Sequence, residues 1–190
     1  MQKLSNSYKL QKKLNKRLKN VNRKIGSKID KKYSSLLRSV NISLAAIGSI
    51  FLADEHLKEL SESRMLPGMD HQDDSSAQLI TFKNSHNEGA MLSVGSKTPA
   101  LTKAISIIFA IAVTAIFLLT LGTKGKYLLK AGLVALLGGA YSNTYDRIKR
   151  GYVVDYISIN KGNNFMKNVV YNLGDFAIMI GALFVVIGCN

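Results

Sequence analysis

The sequence predicts an all-α integral membrane protein with four transmembrane helices, a small extracytoplasmic β-element and an N-terminal basic amphipathic helix. Three observations predict it. Hydrophobic residues make up 47% of the 190-residue chain, yet Lys and Arg outnumber Asp and Glu by 26 to 12. The two signals are segregated: residues 1–38 hold thirteen basic residues and a single acid, Asp30. Residues 104–122 are nineteen consecutive uncharged residues, close to the ~20 that a bilayer core requires. A net charge of +14 taken alone points to nucleic acid. A basic arm tethered to membrane segments makes that a poor reading, and no nucleic-acid partner is expected.

Residues 4–37 place Leu10, Leu14, Leu18, Val21, Ile25, Ile29, Tyr33 and Leu36 at steps of three and four, the spacing of one helical face. Surrounded by lysine and arginine, such a helix suits the anionic inner leaflet of a membrane; a solvated arm has the same composition. Four apolar segments follow: Ser39 to Ala53, residues 104–122, about Ala131 to Tyr145, and about Phe176 to Gly188. Three are shorter than a full crossing and must borrow polar flanks, which puts any hydrated site at the membrane surface. The expected division is a basic arm, 1–38, and a membrane domain, 39–190, with outer loops at about 54–100 and 146–171.

Orientation follows from the basic residues of short loops. Residues 54–100 carry eight acids against four Lys or Arg, whereas Gly122 to Lys126 is basic without an acid. Both termini are expected on the cytoplasmic side. No cleavable signal peptide is expected, because the first apolar run follows a basic region too long for one. The single cysteine, Cys189, reads as a small apolar residue at a helix end. Residues 77–84 alternate weakly and contain β-formers, predicting a strand between turns at Pro67-Gly68 and Asn87-Glu88-Gly89.

The chemistry-bearing residues lie near the C-terminus. Asp155 follows Gly151-Tyr152-Val153-Val154, and Asp175 opens the apolar run from Phe176. A carboxylate in such surroundings is costly and usually has a task, although each aspartate taken alone can also be read as a helix cap. Asn143 and Arg147 are four apart and Asn172 and Asp175 three apart, so helices would put each pair on one face. A metal centre from His56, Asp70, His71, Asp73, Asp74 and His86 is not expected, since their spacing matches no ligand pattern.

Taken in order, Asp54-Glu55-His56-Leu57-Lys58, His86-Asn87-Glu88-Gly89-Ala90-Met91-Leu92-Ser93, Asn143-Thr144-Tyr145-Asp146-Arg147, Gly151 to Asp155 and Asn172 to Asp175 resemble the motifs of signal peptidase II, the lipoprotein signal peptidases. The resemblance covers about residues 40–190. Five positions depart from the family pattern: Ser142 stands where glycine is usual, Gly174 where alanine is, Glu55 where glutamine is, and Met91-Leu92 where alanine-phenylalanine is.

The resemblance implies an aspartic endopeptidase of the bacterial cytoplasmic membrane. It would cleave the signal peptide of a diacylglyceryl-modified prolipoprotein just before the lipid-bearing cysteine. It assigns catalysis to Asp155 and Asp175, and substrate contacts to Asn143, Arg147, Asn172 and Asn87. Asp146, Asp54, Lys58 and Gly89 are left as structural support, with Asp54 and Lys58 paired across one helix turn. It implies no cofactor, and inhibition by globomycin. Two crowded carboxylates sharing one proton fit that chemistry. The alternatives are a non-catalytic lipoprotein-binding paralogue and a small transporter using intramembrane aspartates.

Overall fold

The computed structural model describes residues 2–66, 79–89, 98–160 and 169–189, with side chains from residue 13 onward. The chain divides into two compact units, Met1–Asn41 and Ile42–Asn190. Its elements are α1 (Gln2–Glu62), β1 (Ile80–Asn87), α2 (Pro99–Leu121), α3 (Tyr127–Lys149), β2 (Val153–Ile159), β3 (Val170–Tyr171) and α4 (Leu173–Cys189).

Helix α1 joins what the sequence suggested were two elements. The basic stretch and the apolar segment from Ser39 form one continuous helix of 61 residues, because no proline or helix-stopping turn lies between them and only Gly26 and Gly48 weaken it. The helix also runs past Ala53 to Glu62, so the start of the expected outer loop is helical. In the first unit Leu14, Leu18, Val21, Ile25, Ile29 and Tyr33 all lie more than half exposed. Leu10, the first residue of that stripe, has a side chain outside the described set.

Helices α1 and α2 are long and apolar enough to cross a membrane by length and composition, and α4 is a shorter apolar helix of 17 residues. Pro99 sits in the first turn of α2, where its missing N–H is no loss. Helix α3 extends beyond the expected apolar segment at both ends and stops at Arg150, whose N–H reaches the Asp146 carbonyl at 2.7 Å. Gly151 then adopts φ +87°, the left-handed turn that ends helices and favours glycine. That turn launches β2.

The apolar core of the second unit gathers Ile47, Val113, Phe117, Leu133, Leu136 and Leu137. Helices α3 and α4 meet along a seam of glycines. A Cβ on Gly132 would lie 2.7 Å from the Gly181 carbonyl, and one on Gly181 would lie 2.7 Å from the Gly132 carbonyl. Gly139 abuts the Gly174 carbonyl and Gly188 abuts Leu129. Gly174, Gly181 and Gly188 recur every seventh residue, so small residues line one stripe of α4 and allow the backbones to approach, as membrane helices commonly do.

The β-element is a three-stranded antiparallel sheet in the order β1-β2-β3. The predicted strand at 77–84 is found three residues later, and Asn87, expected in a turn, is its last residue. Residues 67–78, which include Pro67-Gly68 and Ala77-Gln78, lie outside the described residues. Strand β2, Val153–Ile159, went unrecognised in the sequence although Val-Val-Asp-Tyr-Ile-Ser-Ile is rich in β-formers. It is the central strand, and Val153, Val154, Asp155 and Tyr156 are all buried.

A bulge decides which side chains share a face. Phe82 pairs with Ile157, but Ser85 pairs with Asp155, so Lys83 and Asn84 together oppose Tyr156. An unbroken ladder would set Asn87 opposite Tyr152, on the face away from Asp155. The extra residue sets it opposite Val153 instead, on the Asp155 face. The end of α1 holds the bulge, with Ser61 Oγ donating to the Lys83 carbonyl and Asn84 Nδ2 donating to the Ser61 carbonyl, both at 3.4 Å.

The glycine seam yields a direct test. Gly181→Val drives a side chain into the α3 backbone and should destabilise the fold by about 1–3 kcal/mol. Gly48→Ala, where nothing lies within 4 Å, should be neutral or slightly stabilising. Thermal unfolding of both variants in detergent reads the difference.

Candidate active site

Asn172 organises the site. It immediately precedes α4, and its side-chain Oδ1 accepts the N–H of Asp175 at 2.7 Å while Asp175 Oδ2 accepts the N–H of Asn172 at 3.1 Å. This reciprocal pair is a capping box, with Asn172 as the cap and Asp175 three residues on. The sequence reading put both residues on one helical face. The correction is that Asn172 lies outside the helix and folds over its end. Its remaining amide, Nδ2, donates to Asp155 Oδ1 at 2.7 Å. One asparagine therefore binds both aspartates.

Asp155 projects from the middle of β2, not from a helix end. Its second oxygen accepts Asn87 Nδ2 at 3.0 Å, the bond that the β1 bulge makes possible. Asn87 Oδ1 in turn accepts the Gly89 N–H at 3.0 Å. Burial first, and then the charge of Asp175, push the Asp155 carboxyl up to about 7, against the opposing pull of Asn87, Asn172 and the more distant Lys58.

Asp175 uses its free oxygen, Oδ1, to accept Asn143 Nδ2 at 2.9 Å. The Asn143 amide is oriented from behind, because its Oδ1 accepts Lys58 Nζ at 3.2 Å. A cation on the carbonyl side leaves only the NH₂ group for Asp175. One turn along α3, Arg147 donates to the Gly89 carbonyl at 2.8 Å and to the Asn143 carbonyl at 3.2 Å. Its Nε is buried with no hydrogen-bond partner among the described residues.

Beneath these groups lies a buried ionic cluster. Lys58 Nζ sits 2.9 Å from Asp54 Oδ2, 3.0 Å from Asp146 Oδ2 and 2.7 Å from Ser142 Oγ. Lys58, Asp54 and Asp146 are all fully buried. Asp146 also accepts Arg150 Nη1 at 2.7 Å and the Val154 N–H at 3.1 Å, so it fixes the strand one residue before Asp155. Asp54 accepts Ser142 Oγ at 2.6 Å and the Tyr156 hydroxyl at 2.9 Å. Reasoning from the sequence missed Tyr156, whose only signal was its place beside Asp155.

Asp54, Lys58, Asn87, Gly89, Asn143, Asp146, Arg147, Asp155, Asn172 and Asp175 are thus joined in one network drawn from α1, β1, α3, β2 and α4. Asp70, His71, Asp73, Asp74 and Ala90 to Ser93, with Met91 and Leu92, lie outside the described residues. Among those described, no group of three or more His, Cys, Asp or Glu could hold a metal ion.

A sequence model of signal peptidase II matches residues 46–189. The chain belongs to the signal peptidase II family. The lipoprotein signal peptidase of Lactiplantibacillus plantarum is 31% identical over 110 residues, 58% of this chain and 69% of that protein. That of Brucella ovis is 32% identical over 140 residues, 74% of this chain and 84% of that protein. A solved bacterial membrane enzyme has the same fold, with a TM-score of 0.63 at 21% identity over 79% of this chain and 88% of that one. Family and apolar helices together make this a membrane peptidase.

Two of the departures from the family pattern meet at one carboxylate. Ser142 adds a hydroxyl against Asp54 Oδ2, and Gly174 omits a Cβ that would lie 2.9 Å from the same oxygen. Gly174→Ala should therefore destabilise the fold, and Ser142→Gly should relieve part of the cost by letting the carboxylate move. A thermal-unfolding cycle over both single variants and the double is expected to show non-additivity of about 0.5–3 kcal/mol.

Proposed function

We propose that this protein is an aspartic endopeptidase that removes signal peptides from diacylglyceryl-modified prolipoproteins, cutting just before the lipid-bearing cysteine. The observation that carries the reading is the double attachment of Asn172 to Asp155 and Asp175. It holds two carboxyl groups in one buried, coupled arrangement, the equipment for activating water without a metal.

The dyad carries one proton between its members and titrates as a unit. The ionised member takes a proton from water as the oxygen attacks the scissile carbonyl, and the protonated member donates to the carbonyl oxygen. Collapse of the tetrahedral intermediate breaks the C–N bond: the proton taken from water passes to the departing amine, and one hydroxyl of the intermediate returns its proton to the other carboxylate as the new carboxyl group forms. One water is consumed and the dyad returns to its single proton. Asn143, Asn172 and Asn87 would hold the carboxylates and the substrate backbone. The Nε–H of Arg147, without a partner among the described residues, would reach a substrate carbonyl.

Placement in the bacterial cytoplasmic membrane with four crossings, both termini inside, suits this chemistry. Acyl chains stay among lipids while the peptide bond reaches the polar ends of α1, α3 and α4. The basic arm, with its exposed apolar stripe, fits the anionic inner leaflet. Globomycin would compete for the site.

Asp155→Asn and Asp175→Asn should each slow cleavage of a diacylated prolipoprotein by roughly 10³-fold or more, read as uncleaved precursor on a gel. A lipoprotein-binding paralogue would instead have an inactive wild type. The pH profile has a defined sign. Because Asp155 is raised to about 7, the dyad keeps its proton below that value and loses it above. Activity should therefore fall as pH rises through about 7, measured as kcat in proteoliposomes.

A further inference from the structure

Tyr156 follows Asp155 in β2, and strand alternation sends its side chain to the opposite face. It is fully buried. Its hydroxyl donates to Asp54 Oδ1 at 2.9 Å and accepts the backbone N–H of Leu173 at 3.0 Å. Leu173 is the first residue of α4, and its N–H is one of those a helix start leaves without an intrahelical partner. Asp54 is held in turn, its other oxygen bound by Lys58 and Ser142. A single hydroxyl thus links α1, β2 and α4.

The two residues tied by that link flank the dyad. Tyr156 is one residue from Asp155, and Leu173 is two from Asp175. Asn172 joins the carboxylates on one side of the strand, while Tyr156 joins their backbones on the other. Neither contact alone fixes both the separation and the twist of β2 against the start of α4. The aromatic ring could be phenylalanine without loss of packing, so the oxygen has a purpose that burial does not explain. Burial, and then the Asp54 charge, raise the hydroxyl's pKa, so it stays a donor at any pH at which the enzyme works.

We propose that Tyr156 is a positioning residue for the hydrolysis: its hydroxyl, clamped between Asp54 and the Leu173 N–H, sets the geometry of Asp155 against Asp175. This rests on the proposed peptidase function. It assigns to Tyr156 no contact with substrate.

The test compares full-length wild type, Tyr156→Phe and Ser142→Gly on a diacylated prolipoprotein, with thermal unfolding of each. Ser142→Gly removes a different hydrogen bond to Asp54, together with one to Lys58, and leaves both bonds of the Tyr156 hydroxyl in place. Tyr156→Phe is expected to lower kcat per folded molecule about ten- to a hundredfold, the scale of a small misplacement of reacting groups, with KM changed less than about twofold. Ser142→Gly is expected to lose stability while keeping kcat within about twofold. Equal kcat losses in the two variants, an unchanged kcat in Tyr156→Phe, or its failure to fold would each assign the hydroxyl to stability alone and overturn the inference. An inactive wild type overturns the peptidase reading as well, whereas an active wild type matched by Tyr156→Phe overturns only this one.

Discussion

The buried ammonium of Lys58 is the contact on which the remaining architecture depends. Stripping a lysine of water is expensive unless carboxylates and hydroxyls replace the lost hydration. Asp54, Asp146, Ser142 and Asn143 supply that replacement, drawn from α1 and α3. Three of these partners then pass the constraint on. Asp146 holds the Val154 N–H, Asp54 holds Tyr156, and Asn143 is turned so that its amide faces Asp175. A network with this many shared partners leaves few alternative arrangements, because a half-satisfied buried ion costs more than none.

Above that cluster, ordinary backbone devices set out the proposed chemistry. A capping box satisfies the start of α4 and at the same time places Asp175. A β-bulge corrects the register so that Asn87 meets Asp155. Asp175 is both a cap and a member of the proposed dyad, so the bland and the functional readings of that residue are not rivals. The helix end engages only Oδ2 of the carboxylate, which leaves Oδ1 for Asn143.

The chain also reconciles a polar site with a membrane setting by putting the two at different heights along the same helices. Glycines 132, 181 and 188 bring α3 and α4 together where the surroundings are apolar. The polar residues of α3 gather near its C-terminal end, at Ser142, Asn143, Asp146 and Arg147. Close backbone packing supplies stability where hydrogen-bonding side chains are absent, and ionic contacts supply it where they are present.

Much was legible from the residues alone. Apolar stretches marked α2, α3 and α4, because a helix in lipid must show long uncharged runs. The ordered motifs from Asp54 to Asp175 pointed to the family, because pockets of this kind need particular polar side chains at particular places. The long α1 was half visible: its periodicity continues across Arg38, but the change from basic to apolar composition disguised one helix as two. Strand β2 and the register of β1 could not be read, since seven β-forming residues next to a helix have no local mark distinguishing strand from loop. Their pairing is a long-range event, and it brings together side chains 68 positions apart, such as Asn87 and Asp155. Tyr156 and the meeting of Ser142 with Gly174 at Asp54 belong to the same class. Sequence names the groups that can donate and accept, and only the folded chain decides which of them stand within 3 Å of one another.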